Sequence, residues 1–369
     1  MVSEIVQTFA RRPVVGYRAI VLSQVATGAI AFLLWVHHMF ATTVSMTAMT
    51  LFTASSMAIA IPSGIQIACW IATIWTGRPS LRLPMLWVYG FVATFVIGGL
   101  TGVMIAMVPF DRQVHDSFFI VAHFHYVLIG GGVFPLFAAL YYWLPKLSGR
   151  MMNEALARWH FWLFFVGVNL TFFPQHLLGL DGMPRRVYTY LPEMGWGRLN
   201  LLSSLGAAVI AVSIIVLLVN LFASLLRGRI AGSNPWEAST LEWATASPPP
   251  SYGFVGIPIV ESRDPLWQFV GELPVVTGLR TDRRELLVTS VRHAKLDHRE
   301  ALPGPSVWPL IMALAVGAMF IGAVFTAWAI VWGTGLSLAA FAGWSWPRDR
   351  DRRPEWVQLP DGTVRETLA

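Results

Sequence analysis

The sequence predicts an all-α integral membrane protein, a polytopic bundle of six helices followed by a helical hairpin. Hydrophobic residues make up 55% of the 369 and charged residues 12%, whereas a soluble domain carries about 25% charged residues. The charged residues are also missing from long segments, namely 19–77, 83–110, 117–145, 159–180, 199–226 and 301–347. A membrane span needs about 20 apolar residues, so four of these segments hold one helix each. The first and last hold two, which gives eight.

The elements follow in order along these segments. The first six helices are expected at about 17–40, 47–75, 84–108, 117–143, 157–179 and 199–226. Short loops join them, so they are expected to pack as one bundle. Glycines typical of close helix contacts occur at 98, 99, 102 and 130–132.

The remainder of the chain is different in composition. A polar connecting segment, 253–304, precedes a two-helix transmembrane extension, 305–347, with helices at about 306–326 and 328–346. Within the polar segment, Val275–Arg292 has the composition of a short strand pair. The tail 348–369 is expected to be solvated. Residues 1–252 form the first domain in this division.

The net charge of +6 reports orientation rather than a nucleic-acid partner. Basic residues precede the first helix and follow the second, fourth and sixth: Arg11, Arg12, Arg18, Arg78, Arg82, Lys146, Arg150, Arg158, Arg227 and Arg229. Alternate loops lie on one side, and basic loops are cytoplasmic. Both chain ends are therefore predicted to be cytoplasmic. Met1–Gly16 is too polar for the apolar core of a signal sequence.

Two pairs of histidines lie at predicted helix positions. His37 and His38 stand at the far end of the first helix, and their rings can share one ion only if that turn is open, because adjacent residues differ by about 100°. His123 and His125 differ by about 200°, so one helix could ligate two cofactors on opposite faces. Imidazole suits copper and iron. The alternatives are interfacial histidines at the first pair and core hydrogen bonding at the second.

Two loops on the other side carry a further cluster. His115 and Asp116 could hold magnesium, and Arg185 with Arg186 could pair with carboxylates such as haem propionates. An ordinary polar loop is the alternative. The single cysteine, Cys69, leaves neither an intrachain disulfide nor a thiolate cluster.

Four histidines receive no metal role. His160 and His176, near helix edges, are expected to be structural. His293 and His298 lie in the polar segment and are assigned no role.

These motifs resemble a known family over about residues 1–252. WVHHMF, AIPSGIQ, GGLTG, HDSFFIVAHFHYVL, GVNLTFFPQHLLGLDGMPRR and LEW…PPP are similar, in order, to the second half of subunit I of haem–copper cytochrome c oxidases. The resemblance implies six helices of a twelve-helix core. It also implies four-electron reduction of oxygen to water, coupled to proton pumping.

The resemblance implies a role for each matching residue. His37 and His38 would be copper ligands of the binuclear centre. His123 would be the axial ligand of a high-spin haem that binds oxygen, and His125 an axial ligand of a low-spin haem. The outer cluster would provide the magnesium ligands, His115 and Asp116, and the propionate partners, Arg185 and Arg186.

The sequence departs from the family in two respects. It resembles only the last six helices, so a third copper ligand with its tyrosine, the second low-spin haem ligand and an acidic proton route are expected in an amino-terminal half. Because Met1 falls at an internal methionine of the family, the chain resembles a fragment or the product of a split gene. Gln66 stands where many members have a proton-path lysine, with Ser63 one turn earlier. A path through hydroxyls and water, or a weakened path, is therefore expected. The alternative is that another residue substitutes for the lysine.

The resemblance also implies partners and a location. Oxidase subunits II and III, cytochrome c as the donor through subunit II, membrane lipids and the amino-terminal half are the expected partners, and nucleic acid is not. The last 117 residues resemble, more loosely, a fused two-helix tail of some bacterial chains. Because 24 of the basic residues are Arg and only two are Lys, a GC-rich bacterial gene and a bacterial plasma membrane are favoured.

Three other functions compete with this interpretation. A quinol-oxidising member of the same superfamily would differ in its electron donor. A non-catalytic fragment would explain the missing ligands. A transporter relaying protons through buried histidines is disfavoured, because the predicted first six helices contain no carboxylate.

Overall fold

The chain folds into helices connected by short loops, with small strand pairs near its carboxyl end. A computed structural model describes residues 1–250, 254, 256–268, 275–278, 285–293, 296–302, 304, 306–346, 355–358 and 364–367. The helices are α1 (Val2–Ala10), α2 (Tyr17–Leu34), α3 (Met46–Ala58), α4 (Ala60–Thr76), α5 (Leu83–Ala106), α6 (Val108–Val114), α7 (Phe118–Leu128), α8 (Phe134–Ser148), α9 (Glu154–Leu180), α10 (Gly197–Arg227), α11 (Pro265–Gln268), α12 (Trp308–Ala323) and α13 (Trp328–Ser345).

The membrane interpretation of the first 250 residues is confirmed. Within the described residues, six segments are long and apolar enough to span a membrane: Tyr17–Met39, Met46–Thr76, Leu83–Ala106, Phe118–Ser148, Glu154–Leu180 and Gly197–Arg227. Each of the six corresponds to a predicted helix to within a few residues. The distribution of charged residues along the sequence was therefore sufficient to locate these six spans.

Two predicted helices are interrupted for local reasons. The second span divides into α3 and α4 at Ile59, because Pro62 cannot donate to the carbonyl of Ala58 and its ring clashes with that carbonyl. The fourth span divides into α7 and α8 around a π-helical turn, Ile129–Val133. This turn contains three consecutive glycines, and π turns occur frequently at functional sites.

Some of the glycines predicted to lie at helix contacts do so. A β-carbon at Gly98 would lie 3.1 Å from the backbone of Tyr126, and one at Gly130 would lie 2.8 Å from Oγ1 of Thr94. These two glycines allow α5 to pack closely against α7 and the π turn. Gly99 and Gly132 have open space instead, so neither makes such a contact with the part of the chain that the structure describes.

An aromatic cluster joins α5, α8 and α9. Trp87 is fully buried, and its ring packs against Phe134, Phe137, Phe161 and Phe164 at centroid distances of 4.9–5.7 Å. Each such aromatic pair contributes about 0.5–1.5 kcal/mol beyond the buried area. The cluster fixes α5, α8 and α9 against one another.

The chain divides into two compact units. One comprises Met1–Pro249 with Glu261–Val270 and contains α1 to α11. The other comprises Pro250–Val260 with Gly271–Ala369 and contains the strand pairs and α12–α13. In the second unit, β1 (Gly256–Pro258) pairs antiparallel with β2 (Val275–Gly278), and β3 (Glu285–Thr289) pairs antiparallel with β4 (Leu296–Ala301). In the tail, β5 (Glu355–Gln358) pairs antiparallel with β6 (Val364–Thr367).

The prediction that two strands within 275–292 pair with each other was wrong. Both strands form, but each pairs with a strand outside that range. Six residues join β2 to β3 and six join β3 to β4, so loop length does not distinguish the two pairings. Residues 279–284, between β2 and β3, lie outside the described residues.

The carboxyl-terminal hairpin forms at the expected place. Gly322, Gly333 and Gly343 bring α12 and α13 into close contact, against Ala329, Met319 and Trp308 respectively. The 16 residues of α12 extend about 24 Å at 1.5 Å per residue, which is shorter than a hydrocarbon core of about 30 Å. A membrane-crossing hairpin therefore stays a prediction.

Candidate metal centre

The histidine pair near the end of α2 lies beyond the α-helix itself. The α-helix stops at Leu34 and a 3₁₀ helix, Trp35–Met39, carries both histidines. Nε2 of His37 lies 3.1 Å from Nε2 of His38, and Nδ1 of His37 lies 3.0 Å from Oγ of Ser56. One ion could bridge two nitrogens at that separation, given metal–imidazole distances of about 2.0–2.1 Å. The pair therefore has the convergence that a shared metal requires.

His123 is oriented by α5. Its Nδ1 lies 3.1 Å from the carbonyl oxygen of Gly98 and 3.1 Å from Oγ1 of Thr101. Because a carbonyl only accepts, Nδ1 carries the proton and Nε2 keeps its lone pair. A histidine whose second nitrogen donates to a carbonyl is the usual arrangement of a metal ligand. Gly102 lies against the same ring, since a β-carbon there would be 3.0 Å from Cε1.

His125 is oriented by its own helix and by α9. Its Nδ1 donates to the carbonyl of Val121 over 2.7 Å, which again leaves Nε2 available. The ring stacks on Phe172 with a centroid distance of 4.1 Å and an interplanar angle of 13°. His123 and His125 thus contact different helices, α5 and α9, as rings leaving α7 in different directions would. One helix can present a ligand to each of two cofactors.

The outer cluster divides into two pairs. His115 donates from Nδ1 to Oδ2 of Asp111 over 2.7 Å, and burial raises the pKa of Asp111 against the opposing effect of that hydrogen bond. Asp116 instead accepts both contacts of Arg185, from Nε at 2.9 Å and from a terminal nitrogen at 2.7 Å. The predicted magnesium ligands therefore make their contacts with different residues. Arg186 is exposed and has a left-handed backbone, φ 67°.

The two residues of the predicted proton path line one cavity. Ser63 and Gln66 face a space of about 290 Å³ between the start of the chain, α2 and α4. Nε2 of Gln66 donates to Oγ1 of Thr27 over 3.3 Å. Oγ of Ser3, also at the cavity, accepts from the Trp70 indole over 2.9 Å. Several hydroxyls and amides therefore surround a space large enough for water.

The other buried histidines make structural contacts. His160 is fully buried, and its Nδ1 lies 2.9 Å from the hydroxyl of Tyr141. His176 packs against the rings of Phe119 and Tyr126. In the part of the chain that the structure describes, no three histidine, cysteine or acidic side chains gather into a metal cluster.

Four residues that contact the candidate histidines were not predicted from the sequence to belong to the site: Ser56, Thr101, Asp111 and Phe172. Asp111 could have been found, because it lies four residues before His115 and so on the same helical face. Thr101, Ser56 and Phe172 act on histidines 19 to 47 residues away. No local pattern marks contacts over such separations.

Comparisons with known proteins identify the family to which the chain is similar. The family model described as Cytochrome C and Quinol oxidase polypeptide I matches residues 1–209. Cytochrome c oxidase subunit 1 of Alkalihalophilus pseudofirmus is 42% identical over 323 residues, covering 87% of this chain and 49% of that protein. The same subunit of Synechocystis is 48% identical over 260 residues, covering 70% and 47%. Quinol oxidase subunit 1 of Bacillus subtilis is 41% identical over 326 residues, covering 88% and 48%. The chain spans about half the length of these relatives.

Proposed function

Because the chain belongs to the cytochrome c and quinol oxidase polypeptide I family, we propose that it supplies one half of the catalytic core of a respiratory terminal oxidase. The family is one of membrane oxidoreductases that bind haem and copper. The proposed reaction is the reduction of oxygen to water with electrons from cytochrome c, coupled to proton pumping. The observation that supports it best is the orientation of His123 and His125, each with Nδ1 donating to a backbone carbonyl and Nε2 available.

The histidine environments fit the proposed metals. The family's haem iron and copper, when bound, supply the redox chemistry at which oxygen is reduced. His37 and His38 would hold copper, with Ser56 fixing the first ring. His123 would hold the high-spin haem, and His125 the low-spin haem. The third copper ligand and the second low-spin haem ligand would come from the amino-terminal half of the core.

The remaining residues would position protons and charge. We propose that Ser63 and Gln66 order water in the cavity near Thr27, so that protons move along hydroxyls and water rather than through a lysine. His115 and Asp116 are proposed as magnesium ligands, which requires Asp116 to exchange or share its contact with Arg185. Arg185 and Arg186 are proposed to face haem propionates.

The proposed orientation places the basic loops in the cytoplasm of a bacterial cell. Three contacts support this, because they bring arginines of different loops to one end of the bundle. Arg11 donates to the carbonyl of Trp236, Arg12 to that of Thr76 and Arg150 to that of Gly228. The three acceptor carbonyls lie at the end of α4, directly after α10 and in the segment that follows α10. Oxidase subunits II and III and membrane lipids are the proposed partners.

The test is an optical spectrum with metal analysis of membranes containing this chain, with and without the amino-terminal half of the core. We expect high-spin and low-spin haem signals and copper only when both halves are present. Replacing His123 by alanine should then remove the high-spin signal and retain the low-spin one. If neither combination contained haem, the chain would be a non-catalytic fragment and the proposal would be wrong.

One observation supports a quinol as the alternative electron donor. The quinol oxidase relative is nearly as similar as the cytochrome c oxidase relatives and covers slightly more of the chain. Oxygen consumption by the assembled enzyme with reduced cytochrome c, and separately with a quinol, would decide between the donors.

A further inference from the structure

We propose that a cleft at one end of the bundle binds the phosphate headgroup of an anionic phospholipid. The cleft lies where the amino end of α9 meets the carboxyl end of α10 and has a volume of about 530 Å³. Asn153, Glu154 and Leu156 line it from one side, and Ser224, Arg227 and Arg229 from the other. Its size falls in the range of about 300–1,000 Å³ that is typical of small-molecule sites.

The charge around the cleft favours an anion. Arg227 and Arg229 are exposed at its wall. Arg150 is close by, because its guanidinium donates to the carbonyl of Gly228 over 2.8 Å, and Gly228 also lines the cleft. Arg158 lies one turn beyond Glu154, the only carboxylate among the cleft's lining residues. Since guanidinium groups pair bidentately with phosphate, this arginine excess gives the cleft its selectivity.

The helix dipoles do not determine the sign of the charge. The amino end of α9 carries a positive partial charge and the carboxyl end of α10 a negative one. Because both ends lie at the same cleft, their contributions oppose each other. The side chains therefore decide which ligand charge is bound.

The surface next to the cleft is suited to acyl chains rather than to a free ion. Trp159 of α9 is 63% exposed, and Phe222 and Leu226 of α10 are 61% and 76% exposed. All three lie within about two turns of the cleft on helices long and apolar enough to span a membrane. Tryptophan is enriched at the level of lipid headgroups. A lipid can therefore place its phosphate at the arginines and its chains along this apolar surface.

The inference rests on α9, α10, the loop between α8 and α9 and the two residues after α10, Gly228 and Arg229. It does not depend on whether the chain binds haem or copper. An oxidase without activity could still retain the lipid, and an active oxidase could lack it.

Native mass spectrometry of the full chain, extracted in mild detergent with its bound subunits, tests the proposal. Membranes containing both phosphatidylglycerol and phosphatidylethanolamine supply the lipids. We expect retained phosphatidylglycerol to fall about fivefold for Arg227→Gln and for Arg229→Gln, the attraction of one basic residue to an anionic leaflet. The double variant should lose about 25-fold. Arg227→Lys, which keeps the charge, should retain most of the lipid.

Arg198→Gln is the matched control, because Arg198 is an exposed arginine at the opposite end of α10. It should leave phosphatidylglycerol retention unchanged. Equal retention by the wild type and the double variant would overturn the proposal. So would an equal loss of both lipids, because the arginines would then not select for charge. Displacement of the lipid by millimolar inorganic phosphate would indicate a small-anion site instead.

Discussion

Replacing Gly102 by alanine should weaken the proposed binding of haem at His123 by about tenfold. The new β-carbon would lie 3.0 Å from Cε1 of His123, whereas carbon contacts are most favourable at about 3.5–4.0 Å. The ring must therefore move by about 0.5 Å. The contacts of Nδ1 with Gly98 and Thr101, both 3.1 Å, would lengthen to about 3.6 Å, which is beyond a hydrogen bond.

The size of the effect follows from that loss. One hydrogen bond contributes about 0.5–1.5 kcal/mol, up to about tenfold in a binding constant. Removing the outer partner of a metal-bound histidine commonly costs 10–100-fold in affinity. We therefore expect a loss near the lower end of that range, because the alanine displaces the ring without removing Gly98 or Thr101.

The assay is the high-spin haem signal per protein in membranes carrying both halves of the core, measured by optical difference spectroscopy. Gly99→Ala is the matched control, because it lies on the same helix and its β-carbon would have nothing within 4 Å. Both substitutions exchange a helical glycine for alanine, which favours the helix by up to about 1 kcal/mol. Equal haem content in the two variants would refute the reasoning.

Three further predictions concern neighbouring residues. Ser56→Ala should lower the affinity for the proposed copper by about tenfold or more, because Ser56 contacts Nδ1 of His37. Metal analysis checks this. Ser55→Ala, whose hydroxyl donates to the Phe52 carbonyl of its own helix, should have no effect. Phe172→Ala should reduce the low-spin haem signal about threefold to tenfold through loss of the stacking on His125, whereas Phe173→Ala, at an exposed neighbour, should retain it. Gln66→Lys in the assembled enzyme should increase the rates of turnover and proton uptake if position 66 limits uptake; unchanged rates in stopped-flow pH measurements would show that it does not.

The positions of the spans were determined by sequence alone. A charge within the hydrocarbon core is costly, and the charge-free segments between residues 19 and 226 do contain helices long enough to cross the membrane. The opposite orientations of His123 and His125 were likewise fixed by the helical repeat, which is a local covalent property. For His37 and His38 to share one ion, the chain had to depart from α-helical geometry there, and the α-helix ends before both of them, at Leu34.

Tertiary structure decided which partner each side chain meets. His115 and Asp116 are adjacent in sequence, but one bonds to Asp111 and the other to Arg185, 69 residues away. Thr101 and Gly102 reach His123 only because α5 packs beside α7. The strands β2 and β3 could be located but not paired, because pairing depends on the loops and the register. Periodicity describes one element at a time, whereas these contacts depend on how the elements pack together.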